Sequence, residues 1–327
     1  MHKIFSVVLG STVIFSLCLF PAVGQSQAET KAATQAETKA ATQTKTKIIT
    51  WSGCGISKKA FMKELAKAYE AKTGVKIVLS GGGATKGIRN VASRKLDLGG
   101  ACRNTIENPV NLSPHPLERR VRMVPVAWDA LVVIVHKSNP VDNITLDQIR
   151  KIFTGKITNW NQLKGGKNAP IELYVRKGKI SGVGRTIREL IFANYNQRFV
   201  AKYVEKSSGP IERAISKDAI NGIAISGVSS ARKREKKGQL KILKLEGKEP
   251  SFANIKSGDY LLYRPLYIVT HLQNSDPDVK GFVYFVHSEE ARLIMRKVGT
   301  VPYTDAIHLW LKYIGPLQTA LAKGLSQ

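Results

Sequence analysis

An α/β fold, with parallel sheets covered by helices, is predicted by three observations. Short β-type runs alternate with helical ones along most of the chain. Strands empty through glycine-rich loops into helices at residues 53–57, 81–85 and 181–184. Apolar residues make up 43% of the sequence, enough for a sizeable core.

The elements follow in order. Residues 47–51 read as a strand, and 58–73 as an amphipathic helix with Phe61, Leu65, Ala68 and Tyr69 on one face. Residues 75–80 form a strand that runs through Gly81-Gly82-Gly83 into a helix over 85–93, and 96–99 is again a strand. Two strands are expected at 122–126 and 131–136. A helix over 146–153 is opened by the capping residue Thr145. A strand at 171–176 and a helix at 183–193 complete the regular pattern. The glycine loop at 81–83 matters most. Glycine admits close backbone approach, and the first N–H groups of the following helix lack intrahelical partners and carry partial positive charge.

The N-terminus has a different character. Lys3 precedes an uncharged apolar stretch from Ile4 to Val23 and small residues at Ala22, Gly24, Ser26 and Ala28, the pattern of a secretory signal, expected over 1–24. Cys18 falls inside it. The octad QAETKAAT then occurs twice without change, at 27–34 and 35–42. It carries no large apolar residue, so 25–47 reads as a spacer that cannot support a core. Export would leave the protein soluble outside the cytoplasm, in the periplasm where that compartment exists.

Lys and Arg total 51 against 24 Asp and Glu, a formal charge of +27. Such an excess suits an anionic ligand, an acidic partner or an anionic membrane face. The densest cluster, Arg232-Lys233-Arg234-Glu235-Lys236-Lys237, is not interleaved with stacking aromatics, which argues against nucleic acid. The histidines at 2, 115, 136, 271, 287 and 308 show no ligand spacing, and neither a nucleophile elbow nor a phosphate-binding Walker loop occurs. Neither metal nor cofactor is expected, and no catalytic residues are assigned.

Several segments then fall into a series: residues 48–73, SGGGATKGI at 80–88, and Leu96-Asp97-Leu98-Gly99. It continues with FTGKITNW at 153–160, Arg176 with Ser181-Gly182-Val183, and Asn221-Gly222-Ile223-Ala224. Arg264-Pro265-Leu266-Tyr267 and the segment Lys297 to Pro302 close it. In that order they resemble the periplasmic phosphate-binding proteins that feed ABC importers. The resemblance covers nearly the whole body and implies a two-lobed, type 2 periplasmic-binding-protein fold over 48–327, with the ligand cleft between lobes. Lobe one would comprise about 48–127 plus 266–327, and lobe two about 128–265. The implied activity is capture of a tetrahedral oxyanion, phosphate first, by a monomeric, non-enzymatic protein serving an importer or sensor.

The resemblance also implies a ligand set. Cys54, Gly55 and Ser57 belong to the first loop, Gly83, Ala84 and Thr85 to the second, and Ser181, Gly182 and Val183 to the third. Arg176 matches the family's arginine, and Asp97 its proton-accepting carboxylate. For Ser57, Thr85 and Asp97 local capping is the competing role, and for Arg176 a surface salt bridge. The chain departs from the family by carrying Ala84 and Val183 where hydroxyls are usual, Cys54 and Gly55 for a serine-threonine pair, and Cys102 where serine is common.

Cys54 and Cys102 remain once the signal is removed. Exported proteins commonly pair such cysteines, and a bridge closing that loop contributes about 3–4 kcal/mol. Two alternatives stay open at this point. The pair could be thiolate ligands for a thiophilic metal or metalloid species, or the chain could be a ligand-free basic docking protein.

Overall fold

The computed structural model describes residues 47–108, 111 and 113–325. The expected signal segment and, save Lys47, the repeat spacer lie outside the described residues.

Twelve strands are described: β1 (Ile48–Gly53), β2 (Lys76–Ser80), β3 (Leu98–Ala101), β4 (Val121–His136), β5 (Asn143–Ile144), β6 (Glu172–Arg176), β7 (Tyr203–Glu205), β8 (Gly222–Gly227), β9 (Leu240–Ile242), β10 (Lys244–Leu245), β11 (Tyr263–His271) and β12 (Val301–Pro302). The main sheet runs β2-β1-β3-β11-β4-β8-β6-β7, with β12 and β9 also on β4, while β5 and β10 pair separately. β1 is parallel to β2 and β3, and β6 to β7 and β8. β11 runs antiparallel to β3 and β4, and β4 antiparallel to β8 and β9.

This order contains one arrangement twice. In the first half, the parallel trio β2-β1-β3 is followed by antiparallel β11 and then β4. In the second, β7-β6-β8 is followed by antiparallel β4 and then β9. β4 serves both. Its residues to Ala130 pair with β11, and from Leu131 onward it pairs with β8. The two strands expected at 122–126 and 131–136 are therefore one strand of 16 residues, buried without interruption from Val126. The residues between the expected strands include Asp129, a charge that reads as a break; the Arg264 guanidinium compensates it in the core.

Helices cover both halves in the manner of a type 2 periplasmic-binding-protein fold. α1 spans residues 55–73, entering through a π-helical turn at Lys58–Met62, and buries Phe61, Leu65 and Tyr69. It stops at Gly74, whose φ of 73° is the left-handed conformation common one residue beyond a helix. α2 (Gly83–Ala92) lies on β1 and β3. α3 (Leu146–Phe153) begins where the sequence places it. Thr145 and Gln148 form a reciprocal capping box, and burial of Ile149, Ile152 and Phe153 contributes roughly 1.5–3 kcal/mol each. α4 (Gly182–Leu190), α5 (Ser208–Lys217) and α6 (Val228–Glu235) cover the second half. α7 (Phe252–Ser257), α8 (Pro277–Phe285), α9 (Glu289–Lys297) and α10 (Leu309–Leu325) follow, and α10 packs on α4. Among the described residues no helix is long and apolar enough to cross a membrane.

Candidate functional site

The first half of the sheet prepares a surface that only glycine permits. A Cβ at Gly53 would overlap the backbone of Gly100, and one at Gly100 would enter the Trp51 ring. Strand ends and α2 can therefore close on one another without side chains between them. Beyond β2, Gly82 and Gly83 adopt φ of 142° and 84°, values that L side chains avoid, while Ser52 Oγ donates to the Gly81 carbonyl at 2.6 Å. The loop is thus locked with its amides at the start of α2. Next to it Cys54 is bonded to Cys102 across a Cα separation of 6.2 Å, tying the start of α1 to the end of β3.

The second half mirrors this geometry with different chemistry. β6 ends at Arg176, α4 begins at Gly182, and α5 begins at Ser208 behind Lys206 and Ser207. Arg264, fully buried, joins the halves: Nη1 donates to the Cys102 carbonyl at 3.0 Å and to the Gly182 carbonyl at 3.2 Å. Its charge is met by Asp129 at 3.4 Å. Arg103 and Thr85 add cross-links, both donating to the Ile180 carbonyl at 3.0 Å.

Where the halves meet lies a cavity of about 480 Å³. Gly53 to Ile56, Gly81 to Ala84 and Cys102 form one wall, with Lys59 at its edge. Arg176, Gly182, Val183, Lys206 to Gly209 and Ser230 form the other. Four helices, α1 and α2 on one wall and α4 and α5 on the other, begin at this cavity, so unpartnered N–H groups and the positive ends of four helix dipoles meet here. Arg176 supplies the fixed charge. Its Nη1 donates to Ser208 Oγ at 3.1 Å, while its Nε is buried without a partner. Burial, and secondarily the Arg264 guanidinium, pulls the Arg176 pKa below its ordinary value. A half-buried cation with an idle, buried donor beside four helix starts is a place built for an anion.

Lys59 reaches this rim from the π-helical turn of α1 and crosses to the other half. Its Nζ donates to Ser230 Oγ at 2.6 Å and lies 3.6 Å from Glu212. Turns of that kind interrupt helices frequently at functional sites.

Of the sequence-derived set, Cys54, Gly55, Gly83, Ala84, Arg176, Gly182 and Val183 border the cavity, as does Cys102. The other four do not. Ser57 is fully buried and donates to the Ala101 carbonyl at 3.1 Å. Thr85 Oγ1 is spent on Ile180 and accepts from Arg103. Ser181 is the cap of α4, accepting from Gly184 N at 3.2 Å. Asp97 precedes β3, at the opposite end from Cys102, and accepts from Thr50 N and Oγ1, each at 2.7 Å. β3 is parallel to β1, so the residue before it faces away from the end where the cavity lies.

Sequence reasoning misses Lys59, Lys206, Ser207, Ser208, Gly209 and Ser230. The stretch at 206–209 repeats the strand-to-helix signal used elsewhere, small and polar residues before a helical run. It is obscured because β7 has only three residues, too few to show a period. The reading of Cys54 and Cys102 as thiolate ligands is overturned, because each sulfur is bonded to the other and no thiolate remains.

Fold and cavity together define a two-lobed binding protein with an anion-receptive cleft. The chain belongs to the PBP superfamily, whose domain matches residues 28–290. It is 31% identical over 240 residues to Protein SphX of Synechococcus elongatus, covering 70% of this chain and 69% of that protein. It is 29% identical over 197 residues to the phosphate-binding protein PstS of Borreliella burgdorferi, covering 58% and 68%. The fold is similar to that of a phosphate-bound crystal structure from Clostridium perfringens, assigned as a phosphate ABC transporter substrate-binding protein. There the TM-score is 0.68 at 28% identity, with 78% of this chain and 99% of that one covered.

Proposed function

We propose that this protein is an exported solute-binding protein that captures a tetrahedral oxyanion, inorganic phosphate first, and delivers it to an ABC importer or sensor. The observation that carries the reading is Arg176, a half-buried guanidinium whose buried Nε lacks a partner, at a cavity where four helices begin. The relatives named for phosphate binding support the same ligand. The protein acts as a monomer, without catalysis, metal or nucleic acid. The signal-like segment over 1–24 directs export, and the repeat over 25–47 is a linker ahead of the binding body. The lobes exchange near 127–128 and 265–266, close to where β4 changes its partners at Ala130–Leu131 and where β11 begins at Tyr263.

Closure about those crossings would enclose the ion, with backbone amides and hydroxyls donating to its oxygens and Arg176 adding a charged fork. Calorimetric titration of the purified protein with phosphate should give a single site. Absence of heat with phosphate, arsenate and sulfate alike would refute the reading.

A further inference from the structure

We infer that this site selects its ligand by charge and tetrahedral shape rather than by protonation, so that sulfate binds as well as phosphate. The inference rests on the oxyanion reading above and adds a ligand class to it. It follows from where hydrogen-bond acceptors are placed. The charged side chains on the cavity wall, Arg176, Lys206 and Lys59, are all donors. Ser208 Oγ already accepts from Arg176, which leaves its own hydrogen to donate.

Two buried carboxylates bonded to the wall residue Ser230 and to its neighbour Ser229 are committed elsewhere. Asp129 accepts from Ser229 Oγ at 3.1 Å and from Arg264 at 3.4 Å. Glu212 accepts from Ser226 and Ser230 at 2.7 and 2.5 Å and from Arg234 at 3.3 Å, with Lys59 at 3.6 Å. Asp97, the acceptor expected from the sequence, faces Thr50 at the other end of its strand. Among the described residues, none of those lining the cavity is acidic. Ser207 completes the set. Its hydroxyl can donate or accept, so it suits a ligand oxygen of either kind and discriminates between none.

Phosphate at neutral pH carries at least one proton, and sulfate carries none. A site that holds an acceptor for that proton rejects the analogue lacking it by a factor of about 10⁴–10⁵, because the acceptor is otherwise left unpaired. A wall without a carboxylate has no such lever, and its charged donors favour the ligand with the most unprotonated oxygens.

The test is competition calorimetry on the full chain with its disulfide intact, using inorganic phosphate and inorganic sulfate at neutral pH. Dissociation constants within about tenfold of each other support the inference. A larger preference for phosphate overturns it and leaves the oxyanion reading standing, whereas failure of both ions to bind removes both. A second arm installs the acceptor. Ser207→Asp puts a carboxylate at the N-cap of α5, a position where aspartate is favoured, so folding should survive. It is expected to weaken sulfate at least about tenfold more than phosphate. Equal weakening of both ions would overturn the inference.

Discussion

The two halves of the sheet share one strand order and divide the work at the cavity between them. In the first half the loops are neutral and rigid: glycines pack backbone on backbone, and a disulfide joins α1 to β3. In the second half the equivalent loops carry the charge and the hydroxyls, through Arg176 and the 206–209 segment. Duplicated topology thus fixes where helix N-termini meet, and the side chains can be distributed unequally without disturbing that geometry. The departures noted in the first-half loops, Cys54, Gly55 and Ala84, fit this division. What they withdraw as hydroxyls, Ser207 and Ser208 return from the opposite side.

The comparison can be broken most severely in the first half. Replacing both cysteines with serine removes a bridge between residues 48 apart in sequence, and should cost about 4 kcal/mol in a urea unfolding titration. A loss below about 1 kcal/mol would mean the glycine packing holds the loop unaided. In the second half Arg176→Ala should weaken phosphate by about a hundredfold or more in calorimetry, with little change in the urea midpoint. An unfolding midpoint that drops while affinity holds would make Arg176 structural. Gly182→Ala tests the seam between halves. Its new methyl would overlap the Cys102 sulfur, pushing the walls apart and weakening phosphate by about tenfold. The smallest effect is expected at Asp97. Asp97→Asn should leave phosphate affinity within about twofold while costing about 1 kcal/mol of stability, since its carboxylate accepts from Thr50 at the far end of β3.

Much of this architecture is legible in the chain's local patterns. Glycine runs between β-type and helical segments mark backbone that must pass closely or turn with positive φ, and Gly82 and Gly83 do so. The 146–153 helix is readable to its ends because both its cap and its apolar spacing are local. Arg176 stands out because it ends a strand, where ligands of α/β sheets gather. Asp97 misleads for a directional reason. Adjacent in sequence to a cavity strand, it lies at the wrong end, and only strand direction in the sheet distinguishes the ends. Lys59 and Ser230 give no joint signal, because they are 171 residues apart and belong to opposite halves.

The α/β class, the glycine cradle and the cation at a strand end all follow from the amino-acid order, because each depends on neighbours along the chain. Three outcomes belong to the packed molecule instead: β4 runs through both halves, the cysteines are bonded to each other, and the buried carboxylates Asp129 and Glu212 are already engaged. Those outcomes depend on which distant groups share a partner, and partner choice in a packed interior is settled by satisfying every buried donor, acceptor and charge together.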